Sequence, residues 1–198
     1  KAPIAMNCSG KHAGMIRTAQ LRGDDLATYR DPDHPVQLAI VQAIDDLAHE
    51  QAQNLAVDGC GAPAYALSLF GLARAYGRLA TASEGPEAVV ASAIRQHPEF
   101  ASGTTRDEAA LIRALPGLIG KAGAEATYAV GLPDGRGVAI KISDGSPRAR
   151  AVAMAGVLQR LGFGHEILSE QASAPVLGHG ERVGEIRPYA ETLRHLGG

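Results

Sequence analysis

The chain has no tryptophan, three phenylalanines and five tyrosines in 198 residues, which argues against a ligand site built on stacked aromatic rings. It has no excess of positive charge either. Nineteen Lys and Arg against 21 Asp and Glu leave a formal net charge of -2, which excludes the extended basic surface of a nucleic-acid binder. No uncharged apolar run reaches the ~18 residues of a membrane-spanning helix. No basic segment leads into an apolar stretch in the manner of a secretory signal. The two cysteines, Cys8 and Cys60, are too few for a disulfide scaffold and fit a reducing, cytoplasmic setting. Only Lys1, Lys11, Lys121 and Lys141 stand against 15 arginines, so a lysine in a glycine-rich context draws attention.

What is present describes a globular chain, with 45% hydrophobic and 20% charged residues. Alanine occurs 36 times, which favours a helix-rich core packed with small side chains. Asn7 to Met15 reads as a loop entering a helix to about Leu21, with Asn7 or Ser9 able to cap it. Pro35 suits a first helical turn, and Ile40, Ile44 and Leu47 form an apolar stripe, so a helix is expected over 36–50. The glycines and proline of 57–63 point to a tight loop around Cys60. Leu69, Leu72, Tyr76 and Leu79 mark the buried stripe of the next helix, and another runs from Pro86 to about His97. A loop and short helix capped by Thr104 or Thr105 follow over 103–113.

After Gly120 the period changes. Ala126 to Leu132 and Gly137 to Ile142 flank Pro133-Asp134-Gly135-Arg136, which predicts a β-hairpin. Ser146-Pro147 opens a helix striped by Met154, Leu158 and Leu161 and closed by Gly162. A third strand is expected over 183–187 and a terminal helix over 189–196. The reading is therefore α/β (α+β): a helical part over 1–120, then a strand-containing part over 121–198 with an antiparallel sheet and flanking helices. Two or three strands make a thin sheet, so strands preceding Lys1 are expected to be missing.

Cys8, Lys11 and His12 stand at i, i+3 and i+4 and share a helix face. With Cys60 they offer sulfur and nitrogen donors of the kind that hold a tetrahedral zinc ion. Two reduced core cysteines would satisfy the same spacing. A third reading makes Cys8 a thiol nucleophile with His12 as its base. Asp58 either orients Lys11 or serves as an ordinary turn residue before Gly59. Lys141 ends an apolar run and is either a snorkelling surface group or a charge aimed into a cleft; Lys121 poses a similar choice. The other histidines lack metal spacing, and neither a phosphate-binding glycine loop nor Gly-x-Ser-x-Gly occurs.

Taken in order, Asn7-Cys8-Ser9-Gly10-Lys11-His12-Ala13-Gly14-Met15, Asp58-Gly59-Cys60-Gly61-Ala62-Pro63, Gly103-Thr104 with Arg106, Gly123-Ala124-Glu125 and Gly137 to Gly145 resemble the bacterial L-asparaginase II family of the Rhizobium etli thermolabile type. The resemblance implies a β-lactamase- and glutaminase-like fold, L-asparagine as small-molecule substrate, serine acyl-enzyme chemistry and a homodimer. It implies zinc held by Cys8, Lys11 and Cys60, Asp58 positioning Lys11, and Lys141 as a base or proton shuttle. His12 is then a neighbour of the ion. Two departures stand out. No Ser-x-x-Lys occurs, so on this resemblance the chain is expected to be a C-terminal part that pairs with its N-terminal part, and Ala126 stands where glycine is more frequent. A non-catalytic amino-acid or partner-binding module of the same origin is the alternative outside enzymes.

Overall fold

The computed structural model describes residues 2–196. It mixes helices with small antiparallel sheets in an α+β arrangement and divides into two compact units, Lys1–Gly71 and Leu72–Gly198. The change of period near residue 120 is a change of secondary structure inside the second unit. Among the described residues, no helix is long and apolar enough to cross a membrane.

In the first unit, α1 (Ser9–Arg22) and α2 (Pro35–Ala48) are followed by β1 (Gln53–Val57) and β2 (Pro63–Ala66). Neither Asn7 nor Ser9 caps α1: Cys8 holds the cap position without a side-chain bond, and the Ser9 hydroxyl donates to the Ile4 carbonyl at 2.9 Å. Gly23 ends α1 at φ 78°, a left-handed closure that glycine adopts without strain. The α2 start follows the sequence reading. His34 accepts the Val36 N–H at 3.1 Å and Pro35 sets the first turn. Met15, Ala19, Val36 and Ala62 form the core, with Tyr29, Ile40 and Cys60 packed against it. The stretch expected as a loop around Cys60 is a hairpin end, with Val57 opposite Pro63 and Leu55 opposite Tyr65.

Helix α3 (Leu69–Thr81) crosses the division between the units. Its Leu69, expected in the buried stripe, is exposed, whereas Tyr76 and Leu79 pack against buried Ala80, Ala91 and Ile119. There follow α4 (Gly85–Gln96), the single turn α5 (Pro98–Ala101) and α6 (Asp107–Ala114), whose cap is Arg106 rather than either threonine. The sheet takes the order β3 (Ile119–Ala122), β4 (Thr127–Gly131), β5 (Gly137–Lys141), all antiparallel. The expected β4–β5 hairpin is present, with Val130 opposite Val138 and Gly131 opposite Gly137; β3 is an addition. Helix α7 (Arg150–Arg160) sets Met154 and Leu158 into a core with Leu111, Leu118, Tyr128, Val130 and Leu132. Then come α8 (Glu166–Gln171) and a second hairpin, β6 (Ala174–Gly178) with β7 (Glu181–Ile186). The expected terminal helix is absent: residues 190–196 form turns.

On the opposite face of the sheet from α7, α3 approaches the backbone itself. A Cβ on Gly131 would collide with the Tyr76 carbonyl, and one on Gly137 with the Ala73 carbonyl. Between β3 and β4 the chain makes two successive left-handed steps, at Glu125 (φ 52°) and Ala126 (φ 54°). Ala126 is the position where the family resemblance implies glycine. A left-handed alanine costs about 1–2 kcal/mol, part of which is offset because alanine has less freedom to lose on folding. Ala126→Gly is therefore expected to gain up to about 1 kcal/mol in urea unfolding, and the bulkier Ala126→Val to lose stability.

Candidate metal and thiol site

The site belongs to the first unit and forms where the entry to α1 meets the loop of the β1–β2 hairpin. That loop is tight because Asp58 N–H donates to the Ala62 carbonyl at 2.9 Å and Gly61 N–H to the Asp58 carbonyl at 2.8 Å. Gly61 sits at φ 84°, a left-handed conformation that glycine adopts without strain. The turn leaves both oxygens of the Asp58 side chain facing donors. Oδ1 accepts the Gly59 N–H at 2.8 Å, while Oδ2 takes the Lys11 ammonium at 3.2 Å and the Cys60 thiol at 3.1 Å.

One donor atom each from Cys8, Asp58 and Cys60 lies within 4.8 Å of the other two. Two thiols and a carboxylate, with an amine hydrogen-bonded to that carboxylate, are a donor set that zinc favours. The expected residues Cys8, Lys11, Asp58 and Cys60 are thus brought together. The acidity of each group reflects its neighbours. Asp58 is held below the usual carboxylate range by the hydrogen bonds from Cys60 and then Lys11. For Lys11, burial works against the charge, but hydrogen bonds to Asp58 and Cys60 outweigh it and hold the ammonium above its ordinary value. Burial pushes the Cys8 thiol up, its bond with Cys60 adds to this, and the nearby Lys11 charge only partly opposes them.

A raised Cys8 is the opposite of an activated nucleophile. His12 Nδ1 is 2.7 Å from the Tyr29 hydroxyl, and the two rings meet edge to face, while its Nε2 is buried without a hydrogen-bond partner. Tyr29 was not singled out in the sequence, where no spacing ties it to His12. Ile4, Met6, Ile16, Tyr29, His12 and Cys60 line an open, largely apolar hollow of about 430 Å³ beside the site.

Lys141 lies in the second unit, at the end of β5. Its ammonium donates to the carbonyls of Glu125 (2.5 Å) and Ile142 (3.0 Å), so the left-handed pair Glu125–Ala126 presents the carbonyl that holds it. Lys121 is half-buried on β3 and donates to the Ala122 carbonyl at 2.7 Å. Of the motif Gly103-Thr104 with Arg106, Gly103 takes φ 128° and Arg106 precedes α6.

A family model described as L-asparaginase II matches residues 1–188. No curated protein matches the chain.

The Asp58 bonds set a direction for pH. Because its folded value is depressed, its stabilisation is complete above about pH 4 and is lost as pH falls through the folded value. The Lys11 and Asp58 side chains are 46% and 38% exposed, so solvent screens the pair. In the metal-free protein, Asp58→Asn is expected to make the acid-side slope shallower, since Asp25, Glu99 and Asp134 are also held below the ordinary carboxylate range, and to cost less than about 1 kcal/mol at neutral pH. Urea unfolding across the acid range measures both.

Proposed function

Because the chain belongs to the L-asparaginase II family, we propose that it carries the zinc site and the proton-handling lysine of an enzyme that converts L-asparagine to aspartate and ammonia. The observation that supports this most is the convergence of Cys8, Lys11, Asp58 and Cys60, from the two ends of the first unit, on one donor cluster. In this reading Cys8, Lys11 and Cys60 hold zinc, with Asp58 orienting Lys11 through the 3.2 Å contact. When bound, the ion supplies a Lewis-acidic anchor for the polar head of the amino acid. Lys11 would join the ion's donors as the neutral amine, its proton displaced on binding.

The reaction is serine acyl transfer. A serine oxygen attacks the side-chain amide carbon, ammonia leaves, and water hydrolyses the resulting ester. Residues 1–198 contain no Ser-x-x-Lys, so the nucleophile of this reading lies outside them. Lys141 takes the proton from the attacking serine and returns it to the leaving nitrogen. The geometry suits the protonated half of that cycle, since the Glu125 and Ile142 carbonyls both accept N–H bonds from Nζ. On the family reading the enzyme is a cytoplasmic homodimer.

Zinc titration of the chain, read by calorimetry and elemental analysis, is expected to give one ion per chain, with affinity falling at least about 100-fold in Cys60→Ser. In the intact gene product, Lys141→Met is expected to lower asparagine hydrolysis about 10²- to 10⁴-fold without changing zinc content. Unaltered ammonia release by that variant would remove Lys141 from the mechanism, and absent zinc binding by the wild type would remove the metal.

A further inference from the structure

The two thiols of the candidate site are also a pair in their own right. Cys8 and Cys60 are the only cysteines of the chain, both are free, and both are half-buried. Their Sγ atoms lie within 4.8 Å of each other. They come from segments far apart in sequence, yet one core anchors both. Cys8 holds the cap position of α1, whose Met15 and Ala19 are buried, and Cys60 packs against the cluster of Met15, Ala19, Val36 and Ala62. The turn that carries Cys60 is closed by the backbone bonds of Asp58 with Ala62 (2.9 Å) and of Gly61 with Asp58 (2.8 Å). Packed backbone on both sides therefore holds the sulfurs near each other.

A disulfide brings two sulfurs to about 2.05 Å. A change of rotamer moves each sulfur by about 3 Å, so side-chain rotation covers a gap of this size. The neighbours leave that rotation open. Cys8 makes no capping bond with its side chain, and when the Cys60 thiol leaves Asp58 Oδ2 the carboxylate keeps the Gly59 N–H and the Lys11 ammonium. Cys60 also lines the open hollow of about 430 Å³ beside the site, which gives a small molecule access to its sulfur.

We propose that Cys8 and Cys60 are a redox-sensitive pair that closes to an internal disulfide in the metal-free protein, and that closure bars zinc from the donor cluster. The oxidant is a small-molecule disulfide that enters by the hollow. Cys60, as thiolate, attacks one of its sulfurs; the S–S bond breaks and a first small thiol leaves. Cys8 then attacks the Cys60 sulfur of the mixed disulfide and expels the second. The protein thiols give up two electrons and two protons, and the small disulfide takes up both as two thiols.

Zinc is held by thiolates, so the oxidised pair leaves Lys11 and Asp58 without their sulfur partners. Bound zinc in turn occupies both sulfurs, and each state excludes the other. Such a pair suits transient oxidation in a reducing compartment. The gating rests on the zinc reading given above, whereas the disulfide rests on the two sulfurs alone.

The test uses the reduced chain, stripped of metal by a chelator and incubated with oxidised glutathione. Titratable thiols are expected to fall from the two free cysteines to none. The intact mass is expected to drop by about 2 Da, and a digest to yield one peptide pair joining Cys8 to Cys60. Zinc affinity by calorimetry is expected to fall at least about 100-fold and to return on reduction with dithiothreitol. Preloading with zinc is expected to slow thiol loss at least about tenfold. Cys8→Ser is expected to stop at the mixed disulfide, with glutathione retained on Cys60. Separate glutathione adducts on both wild-type cysteines, or cross-links between chains in place of the internal one, would overturn the pair. Unchanged zinc affinity in the oxidised chain would overturn the gate. A reduced wild type that takes up no zinc yet closes the disulfide would remove the proposed metal and leave the pair standing. Should Cys8→Ser not fold, the wild-type readings decide the matter alone.

Discussion

One carboxylate asked to satisfy three donors organises the first unit. Asp58 receives the Gly59 N–H, the Lys11 ammonium and the Cys60 thiol, and so fixes the start of α1 against the hairpin loop. An ion pair as exposed as this adds little to stability. Its contribution is positional. It sets Cys8 and Cys60 close to each other, with the Lys11 amine held at the edge of the cluster.

The contrast with the second unit is a matter of dielectric. Lys11–Asp58 stands in contact with water and can rearrange at low cost. Arg150 and Glu108 are buried and paired, with Asp107 partly exposed beside them, so breaking that pairing leaves a buried group unpaired. Similar residue types therefore give an adaptable site in one unit and a fixed joint in the other. Lys141 lies between these extremes, exposed at its strand end yet held by two carbonyls.

The sequence was most legible where local chemistry and packing agree. Pro35 marks α2, Pro133 to Arg136 mark the β4–β5 turn, and Met154 and Leu158 mark α7, although Ser146-Pro147 opens a short 3-10 turn before it rather than α7 itself. Strand β1 was hidden because all five of its residues are exposed, so no alternation is written into it. Strand β3 follows Leu115-Pro116-Gly117, which reads as a loop, and its near-complete burial removes the period-two signal. Pro175 disguises β6. The terminal segment contains helix-forming residues, yet local propensity alone does not carry so short a stretch. At the candidate site, the spacing of Cys8 and Lys11 showed a shared face, but their meeting with Asp58 and Cys60 depends on a hairpin whose pairing no local spacing encodes. Tyr29, which orients His12, left no trace for the same reason.

The contact of α3 with Gly131 and Gly137 has a consequence for how such a chain can vary. Every sense substitution reachable from a glycine codon by one base change introduces a Cβ, and at these two positions a Cβ meets a helix carbonyl rather than a side chain that could move aside. No neighbouring replacement makes room, because the obstruction is backbone. The separation of the β4–β5 pair from the helix above it is thus set by two absent side chains, and any replacement at either position would have to push the helix backbone away from the sheet.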